Sequence, residues 1–315
     1  MRTTNLGATD LRVSSVAYGC MSLTPDRVEE GKRAVWRAIE LGINFFDTAD
    51  VYSRGQSEVI LGQALRDGGV SRADVVIATK CGIVFKGMNA SYEYKAYDLS
   101  PAYVKASCES SLQRLGVDYV DLYQPHRIDY LTHPEETARA LEELKAEGKI
   151  RHVGVSNYTV DEMRALAAYA RLESLQTRFS LLHQEPLETG LAALCLQQRM
   201  SVLCYSPLHK GMLTGRGQVS HEEWYSQREA GAVAQLQAFA ASYGVTPGQL
   251  ALAWLMQLPG GVIPLVGTAS ADHIAEAAAA TDITLERDDW YELMVIGRGR
   301  PMPWSQPPYA YLKEK

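Results

Sequence analysis

No run of roughly 18 or more apolar residues occurs in the chain, and its opening, MRTTNLGATDLRVSS, has no apolar stretch of signal-peptide length. The expectation is a cytoplasmic protein with no membrane association. No G-x-G-x-x-G joins a strand to a helix, which argues against an open-sheet dinucleotide-binding fold. Tyr–Lys pairs in Y-x-x-x-K spacing fall in the C-terminal tail, as at Tyr309 and Lys313, which disfavours the helix-borne Tyr–Lys pair of a short-chain dehydrogenase. No H-E-x-x-H or comparable ligand cluster points to a metal. The five cysteines, Cys20, Cys81, Cys108, Cys195 and Cys204, are odd in number and scattered without a C-x-x-C pair, so neither disulfides nor a thiolate zinc site is expected. Positive charge is also short: 31 Lys and Arg stand against 37 Asp and Glu, and the net −6 excludes a general affinity for nucleic acid or anionic membranes. An anionic ligand would need a local cluster.

What the chain does have is 315 residues with 46% hydrophobic and 22% charged side chains, enough for a large buried core. Short apolar or β-branched runs alternate with helical patterns almost to the C-terminus, with no linker-like change in composition. The strand candidates are Ser14–Tyr18, Asn44–Asp47, Val75–Lys80, Tyr119–His126, Ile150–Ser156, Ser174–Gln176, Ser201–Tyr205 and Gly261–Val266. Proline opens and glycine closes three of the intervening helices: Thr24-Pro25 to Gly42, Ser100-Pro101 to Gly116, and Pro134 to Gly148. Thr159 and Glu162 have capping-box spacing for a fourth. Eight strands separated by helices fit an α/β fold of the (β/α)8 TIM-barrel type, one domain over residues 1–315, better than a doubly wound sheet. The surplus forms an N-terminal hairpin over Arg2–Leu11 closing the barrel bottom, loops at 81–99 and 206–223 over its top, and a C-terminal tail at 297–315.

Barrel enzymes build their sites where the C-terminal strand ends converge. Here those ends carry Asp47 with Tyr52 in the following turn, Lys80, His126, Ser156-Asn157, Gln176 and Tyr205. Each alone is more often a cap, a strand terminator or a satisfied core residue than a catalyst. Together they are chemically complementary. A phenol with an ordinary pKa of ~10 donates a proton near neutrality only if its anion is stabilised. An ammonium beside it does that, an aspartate keeps the ammonium charged against desolvation, and an imidazole can orient a carbonyl oxygen. The set suits protonation of a carbonyl oxygen as hydride reaches its carbon.

These residues resemble the aldo-keto reductase superfamily. LGATDLRVSSVAYGCM is similar to its opening hairpin and first strand, and FFDTADVYSRGQSEVILGQAL to its aspartate–tyrosine motif. VVIATKCG, DYVDLYQPHR and GKIRHVGVSNY resemble its lysine, histidine and asparagine motifs, in the family's order from about residue 2 to about 296. The resemblance implies Tyr52 as general acid, Lys80 lowering its pKa, Asp47 pairing with Lys80, and His126 orienting the carbonyl. It implies Ser156, Asn157 and Gln176 on the nicotinamide carboxamide and Tyr205 stacked on the ring. Within YSPLHKGMLTGRG, it implies Ser206, Leu208, Lys210 and Arg216 along the pyrophosphate. Gly267 and Thr268 lead into a helix N-terminus suited to phosphate, with Ser270, His273 and Glu276 as weaker candidates.

Many relatives carry lysine where Gly267 stands and arginine where His273 stands, a pair that clasps the adenosine 2′-phosphate. NADPH (NADP+) is the expected cofactor, with NADH possible. The substrate is expected to be a small aldehyde or ketone; Met21, Leu23, Phe85, Met88, Tyr92, Tyr97, Trp304 and Tyr309 either form an apolar pocket wall or simply pack. Cys81 is expected to face outward against the helices. A second class of function stays open: a regulatory subunit of the same fold that binds the nucleotide as a redox signal. The oligomeric state is not legible.

Overall fold

A computed structural model describes residues 1–85, 95–215 and 227–302 of the protein. Its strands are β1 (Thr3–Asn5), β2 (Arg12–Ser14), β3 (Ala17–Gly19), β4 (Phe45–Asp47), β5 (Val76–Cys81), β6 (Ile83–Val84), β7 (Ala96–Tyr97), β8 (Val120–Pro125), β9 (Ile150–Ser156), β10 (Ser174–Arg178), β11 (Ser201–Tyr205) and β12 (Val262–Val266). Its helices are α1 (Val28–Glu40), α2 (Gln56–Asp67), α3 (Pro101–Leu115), α4 (Pro134–Ala146), α5 (Val160–Ala167), α6 (Glu185–Glu188), α7 (Leu191–Gln198), α8 (Gln227–Ser242), α9 (Pro247–Met256), α10 (Ala271–Ala279) and α11 (Arg287–Arg298).

Eight parallel strands, β3, β4, β5, β8, β9, β10, β11 and β12, pair in that order, and β12 returns to β3 to close the ring. The fold is a (β/α)8 TIM barrel. Strand alternation divides the core in two. Phe45, Val76, Ala78, Leu122, Leu203 and Ile263 fill the inside, whereas Phe46, Ile77, Cys81, Tyr123 and Val155 pack outward against the helices. Cys81 therefore lies where alternation predicts, and all five cysteines are free and buried.

The hairpin β1–β2 seals the barrel floor: Leu6 and Val13 join the interior cluster, and the amides of Gly7 and Ala8 donate to Ser201 Oγ (2.8 Å) and Glu173 Oε2 (3.1 Å). This corrects the expected first strand. Ser14 ends β2, donates its amide to Asn44 Oδ1 (2.7 Å) and its hydroxyl to Val16 O, and the chain bends there before entering the barrel at Ala17. The first helix also begins later than Thr24-Pro25. Those residues form a turn closed by Arg27 N donating to Thr24 O (3.1 Å), and α1 starts at Val28 with no side-chain cap.

The other punctuation holds. Ser100 Oγ accepts from the Tyr103 amide at the start of α3, Gly116 ends that helix in the left-handed region, and Thr159 and Glu162 form both bonds of a capping box on α5. The segment expected as an upper loop at 81–99 includes the short antiparallel pair β6–β7. Arg216, Met88, Tyr92, Trp304 and Tyr309 lie outside the described residues.

Candidate active site

The inward face of each strand sets the register of the site. On β5, Val76, Ala78 and Lys80 point inside, so Lys80 sits above two apolar residues and is fully buried. Asp47 follows Phe45 on the inner face of β4. The ammonium of Lys80 has three hydrogens to donate, and three acceptors meet it: Asp47 Oδ2 at 2.7 Å, Thr48 O at 2.7 Å and Tyr52 Oη at 3.2 Å. Asp47 Oδ1 in turn accepts from Gln176 Nε2 at 2.8 Å, tying β4 to β10 across the barrel.

Tyr52 stands in the turn after β4, where Ser53, Arg54 and Gly55 are all left-handed, with φ of 49°, 55° and 83°. Two non-glycine residues in that region cost of order 1–3 kcal/mol each. The neighbouring helix fixes the turn, since the space beside Gly55 is filled by the Arg114 side chain of α3. The His126 ring meets Tyr52 nearly edge-on, with centroids 6.0 Å apart and planes at 82°. His126 is held by its backbone, its amide donating to Cys81 O at 2.8 Å and its carbonyl accepting from Asn157 Nδ2 at 3.3 Å.

Burial and charge set the protonation states. Burial pulls Lys80 down, but Asp47 and Tyr52 outweigh it and leave the ammonium above its ordinary value. Burial raises Tyr52, and the pull of Lys80 opposes that rise without reversing it. Lys80 thus acts on Tyr52 in the expected direction, while desolvation of the buried phenol is the larger influence. His126 lies well below the ordinary histidine value, first through burial and then through the positive charges of Lys80, Arg127 and Lys95. At neutral pH the site therefore holds a neutral phenol, a neutral imidazole and a charged lysine.

A second group of residues lies along the rim. Asn157, at φ 59°, turns its amide back so that Nδ2 donates to Ser156 Oγ (2.8 Å) while Oδ1 accepts from Tyr205 Oη (2.8 Å). Its backbone amide donates to Gln176 O at 2.8 Å. Ser156, Asn157, Gln176 and Tyr205 are thus one connected unit, with the Tyr205 ring fixed at the mouth. Beyond it, Ser206, His209 and Lys210 all have positive φ, and Leu208 packs down between α9 and the barrel. On the next strand, Gly267 and Thr268 follow β12. Thr268 O accepts from Tyr18 Oη (2.9 Å), Thr268 Oγ1 from the Ser270 amide (3.1 Å), and Ser270 Oγ from the His273 amide (3.4 Å). Gly267 is backed by Gly19, whose carbonyl oxygen would lie 3.2 Å from an added Cβ. His273 is exposed and Glu276 is bound to Thr246.

The expected substrate wall is only partly at the rim. Met21 is 67% exposed and Tyr97 41%, but Leu23 is fully buried in the outer core and is a packing residue. Several residues escaped the sequence reading. Gln124 is fully buried inside the barrel on the strand leading to His126, with no partner for either amide atom. Asp50 and Glu58 are buried behind Tyr52, one accepting from Ser107 and the other from Thr79 and Arg114. Arg178 continues β10 past Gln176. The alternation that places Gln176 would have found Arg178 had the strand been extended by one more inward position.

A family model for the aldo/keto reductase family matches residues 15–296, and the chain belongs to that family. It is 33% identical over 308 residues to a 6-dehydroglucose reductase of Novosphingobium aromaticivorans, spanning 95% of this chain and 96% of that protein. It is 34% identical over 319 residues to an NADH-specific methylglyoxal reductase of Escherichia coli, spanning 92% and 96%. Among solved structures, it superposes on an aldo-keto reductase of Bacillus halodurans in its holo form with a TM-score of 0.83 at 29% identity, covering 96% of this chain and 99% of that one. A glycerol dehydrogenase of Gluconobacter oxydans gives a TM-score of 0.85 at 27% identity, covering 95% and 97%. The protein is an oxidoreductase of a family that acts on small carbonyl compounds with nicotinamide cofactors. Among the described residues no helix is long and apolar enough to cross a membrane, and no cluster of His, Cys, Asp and Glu is arranged to hold a metal ion.

Proposed function

We propose that the protein reduces an aldehyde or ketone to the alcohol with hydride from a reduced nicotinamide dinucleotide, and that Tyr52 supplies the proton. The observation that carries this reading is the complete use of the Lys80 ammonium on Asp47, Thr48 and Tyr52. That arrangement holds a cation against the one oxygen that must become an anion as the proton leaves.

A bound reduced nicotinamide supplies hydride to the carbonyl carbon. The chain's own residues do the rest. Tyr52 Oη donates its proton to the carbonyl oxygen, and the resulting phenolate is stabilised by Lys80, whose charge Asp47 maintains. His126, uncharged, has a ring nitrogen to donate to the same oxygen and so orients it toward Tyr52. The donor set along the rim fits the dinucleotide: the Tyr205 ring for stacking, the Ser156, Asn157 and Gln176 polar groups for the carboxamide, and the Ser206–Lys210 loop for the diphosphate. Asn157 Oδ1 retains a lone pair beyond its bond to Tyr205. The N-terminus of α10, with Gly267, Thr268, Ser270 and His273, is available to the adenosine phosphate.

NADPH is the proposed cofactor, and the absence of Lys and Arg from residues 267–276 supports NADH as a second reading. A similar enzyme of Escherichia coli bears the name NADH-specific. The test is steady-state oxidation of both dinucleotides against small, aromatic and anionic carbonyls, repeated with Tyr52→Phe. We expect turnover to fall ~10²–10⁴-fold in the variant while the cofactor Kd stays unchanged. Tight cofactor binding with no turnover on any carbonyl would favour a redox-sensing regulatory protein, and unchanged turnover in the variant would remove Tyr52 as the acid.

A further inference from the structure

Arg178 ends β10 on the same face as Gln176, and the register sets it opposite Tyr205 on β11. It is half-buried, and no carboxylate among the described residues lies within 4.0 Å of its guanidinium. Its polar neighbour is a histidine: Arg178 Nη2 is 3.5 Å from both Nδ1 and Nε2 of His209, and Ser180 Oγ is 3.4 Å from His209 Nδ1. His209 begins the turn that follows β11, at positive φ. The arginine thus stands where the strand carrying Gln176 meets the loop that leaves Tyr205.

The surrounding charges leave the guanidinium dominant. Burial, followed by Arg178 itself, pushes His209 down to about 4, so it is neutral at physiological pH and does not repel an anion. His183 is also lowered, by burial and then Arg178, and carries Glu185 at 3.2 Å. Glu229 approaches the cluster through His209 Nε2, at 4.0 Å. These carboxylates face the two histidines. A half-buried guanidinium with no carboxylate beside it among the described residues favours an anion at its side, and its planar fork matches phosphate oxygens.

We propose that Arg178 is a cationic anchor for the diphosphate of the dinucleotide, an inference that rests on the function proposed above. Position selects the diphosphate over the other anions. Arg178 lies beside the Tyr205 and Asn157 unit, at the nicotinamide end of the rim, whereas the α10 N-terminus is two strands further round the barrel. Its side chain reaches His209 in the loop after β11.

The experiment is titration of intrinsic fluorescence or heat with NADP+, NAD+, ADP-ribose and 2′-AMP, on the wild type, Arg178→Gln and Arg178→Lys. We expect Arg178→Gln to raise the Kd of NADP+, NAD+ and ADP-ribose by the same factor, about 10-fold or more, to leave 2′-AMP unchanged, and Arg178→Lys to recover part of the loss. Unchanged melting temperature in the free variants marks the effect as one on the ligand. A loss confined to NADP+ and 2′-AMP would move the contact to the 2′-phosphate and overturn the proposal. So would unchanged Kd values with a raised KM for anionic carbonyls alone. If the wild type binds no dinucleotide, the functional reading itself fails. If the wild type binds and Arg178→Gln binds equally well, only the role of Arg178 does.

Discussion

Lys80 Nζ lies 2.7 Å from Asp47 Oδ2, and neither side chain reaches solvent beyond 3%. Removing one partner from such a pair leaves the other as an uncompensated buried charge, costing about 3–5 kcal/mol, whereas removing both charges is far milder. Lys80→Met should therefore be strongly destabilised to urea. Combining it with Asp47→Asn should restore most of the stability and none of the turnover. A double variant no more stable than the single one would show that the pair is not coupled.

His126 should stay neutral through the physiological range, because its folded value lies well below 6.5. As pH falls through 6.5, an unfolded chain takes up a proton that the folded site refuses, so this residue lowers stability on the acid side and contributes no loss above it. For catalysis, the expectation is that kcat/KM from pH 6 to 9 shows no limb due to this imidazole. His126→Gln should lower the rate, by ~10² if the ring donates to the developing oxyanion, with an unchanged profile shape. A limb near pH 6.5 present in the wild type and lost in the variant would contradict the neutral assignment.

Asp50 carries the opposite sign. Burial, reinforced by Glu58, raises it from 3.8 to about 7, against the opposing Ser107 hydrogen bond and Arg114. Between those values the folded state holds a proton that the unfolded chain has released, so stability falls as pH rises and the loss is complete above about 7. Asp50→Asn keeps an acceptor for Ser107 and removes the ionisation. It should be more stable than the wild type at pH 8, by up to about 4 kcal/mol, with the advantage gone at pH 4. Equal chemical stability of the two proteins at pH 8 would refute this.

Gly154 is a packing requirement inside the barrel. A Cβ there would lie 2.2 Å from Ser174 Oγ and 3.2 Å from Gln124 Cγ. Gly154→Ala should cost about 1–3 kcal/mol of stability, and Ser174→Ala in the same chain should return part of it. Because Gln124 leads to His126 and Ser174 to Gln176, the same variant should also raise the cofactor Kd. Thermal melting and ligand titration separate the two effects.

The strand-end residues were legible because a period of two is visible in sequence. Val76, Ala78 and Lys80, or Phe45 and Asp47, alternate with residues that pack outward, and the barrel converts each inner position into a place at the mouth. Local punctuation was legible for the same reason: Ser100-Pro101, Gly116 and the Thr159–Glu162 box act through bonds only a few residues long. Where a long-range bond competed, local signals misled. The Ser14 amide is held by Asn44, thirty residues away, and that bond bends an apolar run that reads as one strand.

By itself, then, the sequence carried the alternation of strands and helices that the barrel requires and the residue types at the strand ends, Asp47, Tyr52, Lys80 and His126 among them. Each depends on periodicity or on residue type. Only the tertiary structure decided how those groups are charged and what surrounds them. Desolvation outweighs Lys80 at Tyr52, Leu23 is core and not wall, and Arg178 stands against an uncharged His209 at the rim. Burial and the distances between strands far apart in sequence set those outcomes, and neither is encoded in any local stretch of the chain.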